Sequence, residues 1–219
     1  MAADTIFADG TMYRNSKLDM INECLLVIGE VPLQDSTIVD NLPLGSDADI
    51  AKRLVENTML EVQSRGWFFN MDYMFTLMPD VNGFISVPAS TLRADFGNGP
   101  DRHQYVLKNG NVYDNLNHTY VITKNLQADM IWLVDYNELP VDAYNYISYR
   151  AARKFQQRVI GAIETDKFTS RDEVDALNNL MRLQLQTQDY NLQNSRVSTR
   201  LHNGYLVKSL YGNKGRRDY

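Results

Sequence analysis

Apolar residues recur every three or four positions in two stretches near the start of the chain, which is the spacing of one helix face. The first stretch begins after the capping residue Ser16, with Asp19 in a capping-box-like position, and ends at Gly29; the second runs from the N-cap candidate Asp47 to Gly66. The two stripes consist of Leu18, Ile21, Leu25 and Ile28, and of Ile50, Ala51, Leu54, Thr58 and Val62. This pattern predicts two helices joined by an ordered loop over residues 31–46, which holds Pro and Gly.

The last third of the chain has the same helical spacing over a longer distance. Residues 141–203 contain no proline and one glycine, Gly161, so we expect two long helices that meet there. Their predicted buried stripes are Tyr144, Ile147, Ala151, Phe155 and Val159, and Val174, Leu177, Met181, Leu185 and Leu192.

The middle of the chain alternates between apolar and other residues, which is typical of antiparallel strands. Residues 69–77 predict one half-buried strand, and residues 105–108 and 111–114 predict a hairpin around Asn109-Gly110, which favours a type I′ turn. Further strands are predicted over 119–123 and 130–135, and a loop over 90–102.

The fold class predicted by this order is α+β. The N-terminal and C-terminal helix pairs form a four-helix bundle, and an antiparallel β-rich lobe is inserted between them. The predicted organisation is an N-terminal arm (1–16), a helical bundle domain (17–66 and 138–194), a β-rich lobe (67–137) and a basic C-terminal arm (195–219).

Charge is distributed unevenly along this chain of 219 residues and net charge −5. Residues 195–219 contain six basic residues and one acidic residue, a net charge of +5, so the other 194 residues carry −10. A basic segment on an acidic body is typical of an interaction arm, and a solubilising tail is the alternative. No apolar run approaches the roughly 20 residues of a membrane span, and the first residues lack the pattern of a secretory signal.

Residues with catalytic or metal-binding chemistry are scattered. The three histidines, His103, His118 and His202, lie in separate segments, and Cys24 lies on the apolar side of a predicted helix. No phosphate-binding glycine loop and no nucleophile elbow is present, so the sequence predicts no catalytic, cofactor or metal site. The acidic candidates are Asp80, Asp95, Asp101, Asp114, Asp129, Asp135 and Glu138. We expect Glu138, just before Pro140, to favour the start of the third helix through its dipole and a cap rather than to act in catalysis.

Basic residues also cluster on the third predicted helix, at Arg150, Arg153, Lys154 and Arg158. We interpret this cluster as a solvated helix face, and the alternative is a docking or DNA-facing surface.

Six strings, in this order along the chain, resemble the tail tubular protein A family, the head-to-tail adaptor or gatekeeper proteins of short-tailed phages (podoviruses). The strings are LVIGEVPL (26–33), EVQSRGWFFN (61–70), TLMPDV (76–81), GNVYD (110–114), DYNELP (135–140) and YRAARKFQQRVIGAIE (149–164). The resemblance covers residues 18–164, and the two ends of the chain have no matching string.

The resemblance implies a structural virion protein and not an enzyme. It implies a homo-oligomeric ring of about twelve copies between the portal protein and a nozzle protein similar to tail tubular protein B. The helices would contact neighbouring subunits and the portal, the β-rich lobe would meet the nozzle, and genomic DNA would cross the lumen without sequence-specific binding. Tail fibres are a further candidate partner. The expected location is the head–tail junction of a short non-contractile tail, after synthesis in the host cytoplasm and without membrane insertion.

The basic C-terminal arm would then reach the portal. We predict that Arg196, Arg200, Lys208, Arg216 and Arg217 pair with portal carboxylates. Two alternatives remain open: an adaptor with glycan or cell-wall hydrolase activity that uses Asp80, Asp95 and Asp135, and a nucleic-acid-binding module that uses the basic tail.

Overall fold

The computed structural model describes residues 16–96, 104–161 and 163–192, together with two short paired strands. The strands are β1 (Thr5–Ile6), β2 (Met12–Tyr13), β3 (Met71–Leu77), β4 (Thr91–Asp95), β5 (Tyr105–Lys108), β6 (Asn111–Asp114) and β7 (Leu126–Trp132). The α-helices are α1 (Lys17–Leu26), α2 (Asp47–Gln63), α3 (Val141–Val159) and α4 (Ile163–Leu192), and 3-10 helices span Ser36–Asn41 and Tyr136–Glu138. The chain divides into two compact units, Met1–Leu180 and Met181–Tyr219.

The first two helices begin at side-chain caps. The Ser16 Oγ accepts a hydrogen bond from the Asp19 backbone N–H at 3.1 Å, as predicted. The Ser46 Oγ accepts from the Asp49 N–H at 3.2 Å, so the cap of α2 is Ser46 and not Asp47. The Ser46 hydroxyl reaches a backbone N–H group of the first turn, so Ser46 takes the cap position and Asp47 becomes the first helical residue.

The helices of the last third confirm the predicted junction at Gly161, but the buried face of α4 differs from the prediction. Of the predicted stripe, Leu177 packs partly buried against the core, but Val174, Met181 and Leu185 are exposed, and the buried residues of α4 are Glu173, Ala176 and Leu180. The helix is therefore rotated by about one residue, 100°, from the predicted orientation. The reason is ionic, because Glu173 faces two arginines of α3.

The middle of the chain forms small antiparallel sheets. One sheet has the order β3-β7-β4, and β5 and β6 form a separate hairpin. The hairpin confirms the prediction, since Asn109 and Gly110 have φ angles of 52° and 72°. The predicted strand over 119–123 is wrong, because the described structure there is one bridge between Asp114 and Thr119. Conversely, β4 forms within the predicted 90–102 loop, and β7 begins four residues before the predicted start.

Two hydrophobic cores lie within the first unit. The larger one joins α1, α2 and α3, and Ala176 and Leu180 of α4 contribute to it. The smaller one fills the β-rich region with Leu77, Ile85, Val112 and the inward residues of β7. The mixture of helices and antiparallel sheets confirms the α+β class, while the four-helix bundle stays a prediction. None of the helices within the described ranges combines the length and apolar character that a membrane crossing requires.

Candidate functional site

The predicted arm residues Arg196, Arg200, Lys208, Arg216 and Arg217 lie outside the described residues. The features that the described chain offers for function are therefore an ion-pair network on the helices, the junction between the two cores, and an apolar loop of the β-rich lobe.

The basic cluster of α3 is an ion-pair network and not the solvated face that the sequence predicts. Arg150 donates to Glu173 Oε1 at 2.5 Å and to Glu61 Oε1 at 2.6 Å, and Arg153 donates to Glu173 Oε2 at 3.0 Å. Lys154 pairs with the other oxygen of Glu61. The network joins α2, α3 and α4, and Arg158 alone of the four predicted residues stays exposed. Sequence spacing missed it because the two glutamates lie on other helices.

The cations of this network favour the ionised form of the Glu61 carboxylate. The hydrogen bond from Lys154, with a further one from Arg150, lowers the pKa of Glu61 to about 2 although partial burial opposes the shift. The network therefore stabilises the packing of the helices at neutral pH rather than supplying a titrating group.

The cysteine and the histidines lie in different surroundings. Cys24 is fully buried, and burial, with a smaller contribution from Glu23, raises the pKa of its thiol to about 12. His118 is exposed in a turn, while His103 and His202 lie outside the described residues. In the part of the chain that the structure describes, no group of three or more His, Cys, Asp or Glu side chains is placed to hold a metal ion.

The candidate carboxylates make local structural contacts. Asp114 is buried and accepts hydrogen bonds from Leu116 N, Asn117 N, Asn117 Nδ2 and Gln104 Nε2, so it holds the turn after β6. Asp135 accepts from the Tyr136 N–H at 2.8 Å and caps the short 3-10 helix. The predicted cap by Glu138 is wrong: Pro140 is the N-cap residue of α3, and no side chain bonds to that cap. Asp95 ends β4, and Asp101 lies outside the described residues.

The junction between the two cores is built from buried amides. Asn70, 2% exposed, accepts from the Trp67 N–H at 2.8 Å and donates to the Gln63 carbonyl at 3.0 Å and the Trp132 carbonyl at 2.8 Å. Gln63 exchanges two hydrogen bonds with the backbone of Val134, at 2.9 and 2.8 Å. These bonds tie the end of α2 to the end of β7, so the β-rich lobe is fixed to the helical core.

Strand β3 exposes five consecutive residues, 72–76, instead of burying alternate ones as predicted, and only its last residue, Leu77, is buried. A bulge between Asp72 and Phe75 breaks the register with β7, and Met74 takes a φ of 52°. The Met74 N–H bonds to Asp129 Oδ1 at 2.9 Å, which holds the bulge. As a result, Tyr73, Met74 and Phe75 are all exposed.

The loop after β3, residues 78–84, which we call the tip loop, is apolar and ordered. Val81 is 100% exposed and Met78 68% exposed, and Phe84 and the neighbouring Val121 are also exposed. Asp80 Oδ1 accepts from the Asn82 N–H at 2.9 Å and from the Phe84 N–H at 2.8 Å. Asp80, a candidate acid on the sequence alone, is therefore the residue that shapes the loop.

The features found in the described part of the chain are thus an ion-pair network, a packing junction and an exposed apolar loop. The sequence model of the tail tubular protein family matches residues 18–190, and the chain belongs to this family of structural phage tail proteins. The family assigns it to the virion, in a tail assembly. No curated protein matches the chain significantly.

Proposed function

We propose that this chain is the head-to-tail adaptor, the A-type tail tubular protein, which connects the portal to the tail nozzle. The observation that carries the proposal is the fixed junction between the two cores, made by Gln63 and Asn70. A subunit with a helical region and a β-rich lobe held in one orientation suits a part that must bind different neighbours at its two ends. The strings that resemble the A-type family, EVQSRGWFFN and DYNELP, contain or adjoin this junction.

In this proposal about twelve copies form a closed ring around the DNA path. The helices form a four-helix bundle that contacts neighbouring subunits and the portal, and the lobe faces the nozzle. Twelve copies with a net charge of −5 each give a ring of roughly −60, which would repel DNA from the lumen during ejection. The protein acts mechanically, without catalysis or a cofactor, at the head–tail junction, after synthesis in the host cytoplasm.

The adaptor would have the domain organisation predicted from the sequence: an N-terminal arm over 1–16, a helical domain over 17–66 and 138–194, a β-rich lobe over 67–137 and a basic arm over 195–219. The basic arm would bind portal carboxylates through Arg196, Arg200, Lys208, Arg216 and Arg217. A segment with a net charge of +5 can pair with an acidic partner surface, which suits stepwise assembly on the portal.

The test is the mass of the purified protein alone and after mixing with the cognate portal. We expect a complex in which a ring of about twelve copies joins the portal. Truncation after Asn194 should weaken portal binding, and the difference from the full chain should shrink at high salt. Full-length protein that ignores the portal even at low salt would refute the adaptor role, and unchanged affinity of the truncated chain would refute the role of the arm alone.

A further inference from the structure

The tip loop presents apolar side chains to solvent in a way that packing within the chain does not explain. Val81 is fully exposed and Met78 is 68% exposed, and Phe84 of the same loop and Val121, which lies beside Gly83 of the loop, are exposed as well. Together these four side chains expose roughly 400 Å² of apolar surface, about the size of the largest patch on a typical monomer. Patches of this kind mark surfaces that contact other proteins.

The tip loop is also preorganised. The Asp80 N–H donates to the Phe84 carbonyl at 2.8 Å, the Gly83 N–H donates to the Asp80 carbonyl at 3.0 Å, and Asp80 Oδ1 accepts two more backbone bonds. The Ile122 N–H donates to the Gly83 carbonyl at 2.8 Å, which anchors the loop to the neighbouring segment. Since the loop is already ordered, little conformational entropy is lost when it binds a partner.

Its position follows from strand register. Met71 of β3 pairs with Ile131 near the junction, where Asn70 bonds to the end of α2, and Leu77 pairs with Leu126 at the other end of the sheet. Six residues of strand place the tip loop about 20 Å from the junction with the helical core. The loop therefore lies at the end of the lobe that points away from the helices.

The charges around the loop define the chemistry of its partner. Residues 71–90 contain no Lys or Arg, and their acidic residues are Asp72 and Asp80; in the neighbouring segment the ammonium group of Lys124 lies over the Tyr105 ring. One carboxylate oxygen of Asp80 accepts hydrogen bonds from the loop backbone, and Asp72 accepts a hydrogen bond from Trp132 Nε1 at 2.8 Å. Binding at this end would come from apolar burial and not from ion pairs.

We propose that the tip loop and Val121 dock into an uncharged apolar recess of the tail protein that the lobe faces, which is the nozzle under the function proposed above. A patch of roughly 400 Å² is about half of what one partner contributes to a stable pairwise interface, so it is too small to hold subunits of a permanent ring together. It is sufficient for end-on docking, because about twelve loops on one ring bind a symmetric partner together and gain avidity. This inference depends on the adaptor role.

The experiment compares Val81→Asp with the matched control Leu44→Asp in the full-length protein. Leu44 is 88% exposed in the loop before α2, so both changes add one carboxylate at an exposed apolar position. Each variant is loaded on the portal, and binding of the purified nozzle protein is measured at about 0.05 and 0.5 M salt. We expect Val81→Asp to form the portal complex normally but to bind the nozzle at least tenfold more weakly, while Leu44→Asp and the wild type bind it equally at both salt concentrations.

Failures of the two proposals are distinguishable. Wild-type protein that does not join the portal contradicts the adaptor role itself. If the wild type assembles on the portal and binds the nozzle but Val81→Asp does so equally well, or if nozzle binding falls steeply with salt, only the tip-loop proposal is wrong. Loss of the ring in Val81→Asp would also overturn it, because the occupant would then be a second copy of the chain.

Discussion

Replacing Glu173 by Gln should reveal how much the ion-pair network contributes to the stability of the helical core. The Glu173 side chain is 10% exposed and accepts from Arg150 at 2.5 Å and Arg153 at 3.0 Å. Glutamine keeps the shape of the side chain and one carbonyl acceptor but removes the charge that faces both guanidinium groups.

The expected loss in the free energy of unfolding is about 2 kcal/mol. Breaking a fully buried ion pair typically costs about 3–5 kcal/mol. The cost is smaller here because the Arg150 and Arg153 side chains are 22% and 26% exposed, and because Arg150 keeps its bond to Glu61. For a protein of this size about 2 kcal/mol corresponds to a decrease in Tm of about 4–8 °C.

The assay is urea and thermal unfolding followed by circular dichroism, with Asp175→Asn as the control. Asp175 lies two residues after Glu173 in α4 and pairs with Arg171 at 4.0 Å. The Asp175 side chain is 67% exposed and the Arg171 side chain 84% exposed. Its neutralisation changes the net charge equally but should cost at most about 0.5 kcal/mol. A Glu173→Gln variant as stable as the wild type, or no less stable than Asp175→Asn, would refute the reasoning.

Three further changes test the acid response, the junction and the tip loop. The pKa of Glu61 is about 2 in the folded chain, so its contribution to the free energy of unfolding is fully present above pH about 4.5 and is lost as the pH falls towards 2. Glu61→Gln should therefore lose less stability than the wild type between pH about 4.5 and about 2 in urea unfolding. Parallel curves of stability against pH for the two proteins would contradict this. Asn70→Ala removes three buried hydrogen bonds and should cost about 3 kcal/mol in urea unfolding, whereas a loss below about 1 kcal/mol would show that water replaces the amide. Gly83→Ala should destabilise more than Gly45→Ala, by about 1 kcal/mol, because both glycines have positive φ but only at Gly83 would the new Cβ meet a side chain, Val121 Cγ1 at 2.8 Å; equal losses in the same assay would mean that Val121 moves aside.

Local signals along the chain predicted the elements whose causes are local. The cap at Ser16, the helix junction at Gly161 and the turn at Asn109-Gly110 each depend on residues within a few positions, and each is confirmed. The strand boundaries were less predictable, because β4 forms only where β7 supplies its partner. Nothing within residues 90–102 alone distinguishes that strand from a loop.

The orientation of α4 shows why an apolar stripe alone gave the wrong face. Leaving Val174 half exposed forgoes about 1 kcal/mol of apolar burial. Turning the helix to bury it would move Glu173 away from Arg150 and Arg153 and leave their charges poorly compensated, which costs more. The partners of Glu173 are more than 19 positions away in sequence, so helical periodicity has no access to this balance.

The candidate site was the least predictable part, because exposure is a property of the folded chain. The string TLMPDV suggests the end of a half-buried strand, and nothing in it indicates that Met78 and Val81 are exposed in the loop that Asp80 shapes with its hydrogen bonds. The same bonds explain why Asp80 is a poor catalytic candidate, since one of its oxygens is committed to the loop backbone.

The two proposed contacts of the adaptor depend on different forces, and this difference bears on the order of assembly. Attraction between a basic arm and portal carboxylates acts over about 10 Å and brings the subunit to the portal quickly, but salt weakens it. Apolar docking of the tip loop acts only at contact and gains strength from many loops that bind at once. Under the proposed function, a single subunit would therefore bind the nozzle poorly, whereas a completed ring on the portal would bind it well, because the bonds of Asn70 would give each lobe of that ring the same orientation. Weakening that junction should accordingly reduce nozzle binding by the ring more than portal binding by the arm.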